Sequence, residues 1–412
     1  MTVPKDFVHI RVELSLGKAK RTASVLVVAL IITIIAITAY TLTHTTNAKG
    51  FIKIVEESNS KNKTVIIFTG NNFIGNFNLT NMDHETKSFS NLTAGRYTIT
   101  EKVPAHWSLN QISVSGDADN GSIISSPSIT VDLAAGETIT VTFSHRIVTL
   151  SGNFSIIVLP DTQFYSASYP GIFSNQTNWI VNNIASMKIA YVAHEGDVVD
   201  NFALNYQWQN AQASLSILNG RILWGIAPGN HDGFNVGGIS ENLGTFTTYF
   251  GDPNSFRLFS AGGDDYLVFQ LQYDPSSQTL AWANQTISQY PNRRVIVETH
   301  DYLTTSGTRD TTGNRIWQSF VSPHANQVFL VLCGHNHGEA KRTDTVKDHT
   351  VYQILADYQN RDNGGDGWLR ILEFHPAENR IIVKTYSPHL NQYEVDADSQ
   401  FKITYDMTGT NP

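Results

Sequence analysis

Five short polar clusters follow one another between residues 161 and 337, and their side chains are of types that bind divalent cations. In chain order they are Asp161-Thr-Gln163, Gly196-Asp197-Val-Val-Asp200, Gly229-Asn230-His231-Asp232, His300 and Gly334-His335-Asn-His337. Carboxylate and amide oxygens suit hard cations, and imidazole suits borderline ones. Two such ions, about 3.5–4 Å apart, can clamp the attacking and leaving oxygens of a phosphoryl displacement. The clusters therefore predict a two-metal centre for chemistry on phosphate esters.

Buried strands are the elements that must position these clusters. The preceding apolar runs are FSIIVLP before Asp161, YVAHE before Gly196, RILWGIAP before Gly229, RVIVET before His300 and QVFLVLC before Gly334. Stretches that we predict as helices separate the runs, at 175–188, 206–218, 276–289 and 314–321. This alternation indicates crossover connections and a sheet covered by helices. Open α/β sheets place their sites at the carboxyl ends of strands, so we expect the clusters to meet at one edge.

The spacing within the clusters suggests how two ions could be shared. Asp197 follows the second run, and its two carboxylate oxygens can each take one ion, so it is the candidate bridge. Asp161 and Gln163 are two residues apart, and an extended chain projects both to the same side. His335 and His337 have the same spacing, which lets one short loop serve both ions.

Residues 153–340 resemble the calcineurin-like metallophosphoesterase superfamily, whose pattern is D-x-H, G-D-x-x-D, G-N-H-D/E, an isolated H and G-H-x-H. The resemblance implies a four-layer α/β/β/α sandwich over residues 150–412 and hydrolysis of phosphate mono- or diesters. It implies that one divalent ion is held by Asp161, Gln163, Asp197 and His337. It implies that a second ion is held by Asp197, Asn230, His300 and His335.

The resemblance also implies the roles of groups around the two ions, which are Mn, Fe, Mg or Zn. A hydroxide that bridges the ions attacks phosphorus directly, without a phosphoenzyme. His231 donates a proton to the leaving alkoxide or stabilises the phosphoryl group, and Asp232 orients and charges that imidazole. Asp200 is interpreted as structural. Gln163 stands where the pattern has His, and its amide oxygen favours Mn, Mg or Fe over Zn.

Residues 50–148 show no helical period and predict a separate all-β domain. Short β-branched runs between Asn, Gly, Ser and Asp clusters indicate a small antiparallel sandwich. The segments at 94–104 and 135–143 resemble the prealbumin-like or Cna-B type sandwich of surface proteins, which often carries a Lys–Asn isopeptide bond promoted by a buried Glu. Lys53 and Glu101 match the Lys and Glu positions, but His145 stands where Asn is expected. We therefore interpret Glu101 as a solvated or capped carboxylate.

One apolar run, residues 23–42, has the length that a helix needs to cross a bilayer. Basic residues directly before it predict a cytoplasmic segment at 1–22 and a catalytic domain outside the cell, in a single-pass cell-membrane protein. Cleavage of the run as a signal peptide, which would give a secreted protein, is the alternative. The formal net charge of −8 argues against nucleic-acid binding.

Two functional hypotheses follow from the sequence. In the first, the chain is a membrane-anchored phosphoesterase that acts on phosphate esters outside the cell. Its substrate pocket could be lined by Trp208, Phe234, Tyr302 and the Gly-rich loop 358–367, where Arg361 could bind a phosphate through two hydrogen bonds; a plain turn is the alternative for this loop. In the second, the sandwich domain contacts the surface layer or envelope as an adhesion protein, and the metal centre is vestigial. The intact clusters favour the first hypothesis.

Overall fold

The structure, a computed structural model, describes the residues 48–58, 65–71, 73–81, 85–103, 107–146, 152–219, 221–233 and 242–408. Within these ranges, no helix combines the length and the apolar composition needed to span a bilayer. The predicted cytoplasmic segment 1–22 and the predicted anchor 23–42 lie outside the described residues, as does Phe234.

The first domain consists of two sheets packed face to face. Its strands are β1 (Gly50–Ser58), β2 (Val65–Gly70), β3 (Phe77–Thr80), β4 (Thr86–Leu92), β5 (Gly95–Lys102), β6 (Ser108–Ser115), β7 (Ile123–Ser125), β8 (Ser128–Leu133) and β9 (Thr138–Arg146). The strand orders are β4-β1-β9-β6 and β3-β2-β5-β8-β7. The described pairs are antiparallel except β1 with β9, which is parallel. The predicted β-sandwich is confirmed, with one parallel pair that the sequence did not indicate.

Alternation of side chains along the strands builds the core of this sandwich. In β1, Ile52 and Ile54 are fully buried, and Lys53 lies between them on the opposite side of the strand. Phe68 and Phe143 meet inside the core with their rings edge to face, 5.0 Å between centroids. Lys53 therefore points away from the core. A lysine that forms the cross-link would have to point into the core.

A buried cluster of two acids and a histidine joins the two sheets. Nδ1 of His145 lies 2.7 Å from the carboxylate of Glu56, and its Nε2 lies 2.6 Å from that of Glu101. Burial would lower the pKa of His145, but the two carboxylates raise it to about 10. Burial raises the pKa of Glu56 to about 7. The interpretation of Glu101 as a solvated carboxylate is wrong, because Glu101 is fully buried and paired with a cationic imidazole.

The second domain begins at residue 152 and combines two sheets with helices. Its strands are β10 (Phe154–Leu159), β11 (Ile189–His194), β12 (Trp224–Ile226), β13 (Ser255–Ala261), β14 (Asp264–Leu271), β15 (Arg294–Thr299), β16 (Val328–Cys333), β17 (Gly338–Val346), β18 (His349–Asp357), β19 (Leu369–His375), β20 (Arg380–Ser387), β21 (Gln392–Glu394) and β22 (Phe401–Thr404). Its α-helices of six or more residues are α1 (Gln163–Ser168), α2 (Pro170–Asn183), α3 (Asn205–Leu215), α4 (Gly244–Phe250), α5 (Ser277–Ile287) and α6 (Thr311–Ile316), the last continued by a π-helical turn, Trp317–Val321.

Each sheet of this domain contains a set of neighbouring parallel strands. One sheet has the order β12-β11-β10-β19-β20-β21, with β22 also paired to β20. The other has the order β13-β14-β15-β16-β18-β17. The pairs β10–β11, β11–β12, β14–β15, β15–β16 and β16–β18 are parallel. Since parallel neighbours end at the same edge, the loops that follow these strands are brought together.

The two sheets pack on each other and carry helices on their outer faces. Phe154, Tyr266 and Phe374 pack ring against ring between the sheets. Phe173 and Trp208, on α2 and α3, join the outer core of the first sheet. Leu280 on α5 and Phe320 after α6 cover the outer face of the second. This arrangement confirms the predicted four-layer α/β/β/α architecture.

Candidate metal centre

All five polar clusters lie at the carboxyl ends of parallel strands. Asp161, Asp197 and Asn230 follow β10, β11 and β12 in one sheet, and His300 and His335 follow β15 and β16 in the other. The nitrogen Nδ1 of His300 donates a hydrogen bond of 2.8 Å to the carbonyl oxygen of residue 195, at the end of the neighbouring sheet. The clusters therefore meet between the two sheet edges, as the sequence predicted.

Three predicted ligands lie around the Nε2 atom of a fourth, His300. This nitrogen is 3.0 Å from Oδ1 of Asn230, 3.2 Å from Nδ1 of His335 and 3.3 Å from Oδ2 of Asp197. Two donors that are each about 2.1 Å from one ion are separated by about 3–3.6 Å. The carboxylate and the two imidazoles can therefore converge on one cation, with the amide oxygen of Asn230 as a fourth donor.

Of the other predicted ligands, Asp161 adjoins this group, whereas the side chain of His337 lies beside Asp357 and Asn360. Oδ1 of Asp161 is 3.8 Å from Nδ1 of His300. This oxygen and Oε1 of Gln163 are buried, and neither has a hydrogen-bond partner among the described residues. A buried oxygen without a donor is costly unless a cation binds it, so the two atoms fit an oxygen-binding metal ion.

Gln163 reaches the site for a different reason from the predicted one. It is the first residue of α1, not part of an extended segment shared with Asp161. Its amide nitrogen donates a hydrogen bond to Oε1 of Gln359. Because the nitrogen is used in this way, the amide oxygen of Gln163 is the atom left for a metal ion.

Glycines allow the loops to approach one another at the centre. A Cβ atom at Gly229 would collide with the carboxylate of Asp197, and one at Gly334 would collide with that of Asp161. Gly196 has a φ of +105°, and a side chain there would strike the ring of His300. Asp197 itself has a φ of +45°, a left-handed conformation that costs a non-glycine residue energy. The backbone is thus shaped to bring these donors together.

The electrostatics of the centre reflect an excess of buried carboxylates. Burial, followed by the charges of Asp357, Asp197 and Glu195, raises the pKa of Asp161 well above its usual range. Burial would also raise the pKa of Asp197, but the imidazole of His300 lowers it. The pKa of His300 is in turn raised to about 9, because Asp197 outweighs the effect of burial.

His335 differs from His300 in its charge. Burial, followed by the positive charge of His300, lowers the pKa of His335 to about 4. A neutral imidazole is the form that binds a metal ion. The buried carboxyl groups and the neutral ring of His335 are therefore both suited to binding a cation.

The geometry around His231 corrects the predicted role of Asp232. The carboxylate of Asp232 accepts hydrogen bonds from the backbone amides of Val198, Val199 and Gly229, at 2.8, 3.1 and 2.8 Å. Asp232 therefore ties two loops together instead of orienting the His231 ring.

Asp200 takes the position next to His231 that was expected for Asp232. Nδ1 of His231 donates to the carbonyl oxygen of Asp200 at 2.6 Å, and the carboxylate of Asp200 lies 3.8 Å from the same nitrogen. The backbone amide of His231 donates to Oδ1 of Asp197 at 2.9 Å. The ring is thus fixed next to the predicted bridging ligand, with Nε2 as its second nitrogen.

His194 forms hydrogen bonds to two of the loops that carry predicted ligands. Its Nε2 lies 3.0 Å from the hydroxyl of Thr162, and its Nδ1 accepts from the backbone amide of Gly196 at 3.1 Å. Burial, followed by the charge of His300, lowers the pKa of His194 to about 3, so the ring is neutral. His194 links the first two polar clusters.

The predicted substrate pocket is not formed as expected. The guanidinium of Arg361 pairs with Glu394 at 2.6 Å and with Glu339 at 3.4 Å, and it stacks on the ring of Tyr358. Trp208 and Tyr302 are fully buried. These contacts hold the 358–367 loop against the two acids, and phosphate binding by Arg361 stays a prediction.

Sequence reasoning missed Asp357, which lies near His337, and gave Gln359 and Asn360 only as part of a loop that could line the substrate pocket. Asp357 ends β18, and its Oδ2 lies 3.9 Å from Nε2 of His337. Gln359 donates to Asp357 through its backbone and side-chain nitrogens, at 2.9 and 3.2 Å. Asn360 contacts Nδ1 of His337. The available signal was an acid at the end of the apolar run TVYQILAD, the same pattern that marks Asp161.

Comparison with known proteins divides the chain at the same place as the fold. Residues 154–339 match the family model of the calcineurin-like phosphoesterases, and residues 52–147 match that of a prealbumin-like fold domain. An uncharacterized protein of Bacillus subtilis, YvnB, is 35% identical over 284 residues, which are 62% of this chain and 22% of YvnB. The chain thus spans about a fifth of the length of that relative.

Two solved structures are also similar to the chain. A dimetal phosphatase from Danio rerio has a TM-score of 0.43 and 13% sequence identity, with 62% of this chain and 100% of that chain covered. A purple acid phosphatase from the seeds of yellow lupin (Lupinus luteus) has a TM-score of 0.45 and 11% identity, with 87% and 75% covered.

Proposed function

We propose, because residues 154–339 match the family model of the calcineurin-like phosphoesterases, that this chain hydrolyses phosphate mono- or diesters with two divalent cations. We also propose that the residues at 23–42 anchor it in the cell membrane, with the catalytic domain outside the cell. The observation that carries the catalytic proposal is the convergence of Asp197, Asn230, His300 and His335 beside the unpaired buried oxygens of Asp161 and Gln163.

The donors divide into two sets that share one carboxylate. One cation would be held by Asp197, Asn230, His300 and His335. The other would be held by Asp161, Gln163, Asp197 and His337. When bound, the cations supply positive charge that neutralises the phosphate oxygens and makes water more acidic for attack on phosphorus.

His231 is suited to move a proton at the leaving group. Since a carbonyl oxygen can only accept, the 2.6 Å contact with Asp200 places the proton of the neutral ring on Nδ1. The carboxylate of Asp200 would stabilise the imidazolium, whose Nε2–H can donate to the leaving alkoxide. The backbone bond from His231 to Asp197 holds this ring at a fixed position relative to the metal ligands.

The membrane proposal rests on the sequence. The run at 23–42 is apolar and follows basic residues, and such a flank favours a cytoplasmic N-terminus. A direct test is digestion of intact cells with an added protease. Loss of the catalytic domain from intact cells supports the proposed topology, whereas protection until the cells are lysed contradicts it.

The prealbumin-like domain would hold the catalytic domain away from the membrane and could contact the envelope. It packs directly on the phosphoesterase domain: Arg257 donates to the carbonyl of Ser126 at 3.3 Å, and Ser125 donates to Asp252 at 3.2 Å. These bonds favour a role in positioning the catalytic domain.

The catalytic proposal is tested with the full chain, purified in detergent and supplied with Mn²⁺. We expect hydrolysis of p-nitrophenyl phosphate or of bis(p-nitrophenyl) phosphate, abolished by Asn230→Ala and by His231→Ala. His349→Ala is the matched control, since His349 is exposed on β18, far along the strand from the centre, and should keep the wild-type rate. Equal residual rates in the wild type and both site variants would favour the adhesion hypothesis with a vestigial centre.

A further inference from the structure

We propose that Asp357 is an additional ligand of the cation held by Asp161, Gln163, Asp197 and His337. This inference rests on the proposed two-metal centre and adds a residue that the family pattern of five clusters does not contain. It makes that half of the centre richer in oxygen donors than the half around His300.

The topology of the second sheet places Asp357 at the centre. β18 is parallel to β16, with Cys333 opposite Leu355, so both strands end at the edge where His335 lies. β17 then runs antiparallel to β18, and its first residue, Gly338, is the register partner of Asp357. Asp357 is therefore held next to the residue that follows His337.

The distance between the two side chains fits two donors to one ion better than it fits a hydrogen bond. Oδ2 of Asp357 is 3.9 Å from Nε2 of His337, which exceeds hydrogen-bond length. Ligand atoms that share a cation are separated by about 3–4 Å, depending on the angle between them. The contacts around His300 fall in the same range, at 3.0–3.3 Å.

Burial and hydrogen bonding aim the Asp357 carboxylate at this position. The residue is 1% exposed, and the backbone amide of Gln359 binds its Oδ1 while the side-chain amide binds its Oδ2. The same Gln359 accepts from the amide nitrogen of Gln163. One side chain thus orients the oxygens of two donors, Gln163 and Asp357, in a connected chain.

The charges of Asp161 and Asp357 favour a cation between them. Asp357 is the charged neighbour that acts most strongly on Asp161, although both carboxylates are buried. Two buried anions in proximity are unfavourable unless a positive charge lies between them. A metal ion supplies that charge, and the unpaired Oδ1 of Asp161 is available to bind it.

Asp357 would also compensate for the imidazole that is absent at position 163. With Asp161, Gln163, Asp197 and Asp357, the ion has four oxygen-donating side chains and one imidazole, His337. The neighbouring ion has two imidazoles. Oxygen donors favour Mn²⁺ and Mg²⁺ over Zn²⁺, so the two halves of the centre should differ in the metal they prefer.

The test is calorimetric titration of the metal-stripped full chain with MnCl₂, with the bound metal counted by elemental analysis. The wild type should bind two ions. In Asp357→Asn, one site should weaken by at least about tenfold, as when a supporting ligand contact is lost, while the other stays unchanged. Asp366→Asn is the matched control, because Asp366 lies on the same loop and pairs with Asn363 instead.

Further variants separate a ligand from a residue that only orients His337. An asparagine keeps an oxygen that can accept a hydrogen bond, so a purely orienting role predicts wild-type affinity in Asp357→Asn and a loss only in Asp357→Ala; that pattern overturns the inference. Partial recovery in Asp357→Glu supports it and guards against misfolding of the other variants. If Asp357→Asn binds two Mn²⁺ ions with the affinities of the wild type, the inference about Asp357 is overturned but the proposed function is not. If the wild type binds no Mn²⁺, both are overturned.

Discussion

The molecule contains two buried clusters of acids and histidines, one in each domain, and they differ in how their charge is balanced. In the prealbumin-like domain, His145 lies between Glu56 and Glu101 with bonds of 2.7 and 2.6 Å, and its raised pKa of about 10 keeps it cationic. In the phosphoesterase domain, several buried carboxylates surround one cationic imidazole, His300, and Asp161 keeps an unpaired oxygen.

The types of residue in a buried cluster do not by themselves identify a metal site. The Glu–His–Glu cluster spans two sheets and carries its own counter-ion, so it serves as a non-covalent link between them. The second cluster lies at the ends of parallel strands, where loops can open to substrate, and lacks the positive charge it needs. This difference can be tested by altering one cluster and following the other as the control.

The rate of hydrolysis should respond most strongly to a change in the metal ligands. Asp197→Asn removes the shared charge of both ligand sets, and we expect phosphoesterase activity to fall by at least about a thousandfold. Steady-state assays with Mn²⁺ measure the loss, and the exposed Asp348→Asn serves as the control. A rate within tenfold of the wild type would contradict the bridging role.

The next effect is on stability and falls on the other domain. His145→Leu leaves two buried carboxylates without their cation, and we expect the prealbumin-like domain to lose about 3–5 kcal/mol of unfolding free energy. Denaturant unfolding, with hydrogen exchange on peptides from β5 and β9, measures the loss. The number of metal ions bound should not change, and a stability equal to that of the wild type would show that the cluster is not a link.

Removal of metal should affect only the phosphoesterase domain. A ligand at a hundred times its dissociation constant stabilises the native state by about 2.7 kcal/mol per site. Scanning calorimetry with Mn²⁺ or with a chelator should therefore show a lower melting temperature for residues 152–408 without metal. The hydrogen exchange of β1, β5 and β9 should remain the same in both conditions. Equal destabilisation of the two domains would remove the distinction between the clusters.

The Glu–His–Glu cluster should make the first domain less stable in alkali. Glu56 has a pKa of about 7 in the folded state against an ordinary value of 4.5, so its contribution declines as the pH rises from 4.5 through 7. His145 has a folded pKa of about 10 against 6.5, so its contribution is complete below 6.5 and is lost as the pH rises through 10. Each group contributes a slope of at most about 1.4 kcal/mol per pH unit.

Denaturant unfolding between pH 5 and pH 9 measures this dependence. Glu56→Gln should remove the part of the slope that lies between pH 4.5 and 7 and leave the part due to His145. A first domain that grows more stable between pH 5 and pH 9 would contradict the assignment of charge.

The smallest expected effect is at Lys53. Because this side chain lies on the outer side of β1, Lys53→Ala should change stability by no more than about 0.5 kcal/mol. The intact mass of the wild type should show no loss of ammonia, the sign of an isopeptide bond. A mass deficit that disappears in Lys53→Ala would instead establish a cross-link.

Much of the fold and of the site could be predicted because the apolar runs in the sequence correspond to the buried strands of the sheets. The runs before Asp161, Asp197, Asn230, His300 and His335 are continuous apolar strands, and parallel strands must end together. These two facts were enough to predict the layers of the fold and the convergence of the five polar clusters at one edge. They were not enough to predict the β13–β14 hairpin. This hairpin joins the sheet by the pairing of β14 with β15, whose register only the tertiary structure defines.

The remaining errors concern side-chain partners, which sequence proximity does not determine. Asp232 is adjacent to His231 in the chain, yet its carboxylate turns towards three backbone amides, and Asp200, which is 31 residues away, contacts the ring. Asp357 reaches the centre because β18 follows β16 in the sheet. The two acids that pair with Arg361, Glu339 and Glu394, are likewise distant in the chain and are brought to it by the fold.

The most direct test of the account is the number of divalent ions that each cluster binds. Elemental analysis of the full chain after equilibration with Mn²⁺ and removal of the excess should give two ions per chain. His145→Leu should retain both, because the Glu–His–Glu cluster binds none, whereas Asp197→Asn should retain at most one. A wild type with fewer than one ion, or an Asp197→Asn variant that still holds two, would contradict the assignment of the phosphoesterase centre.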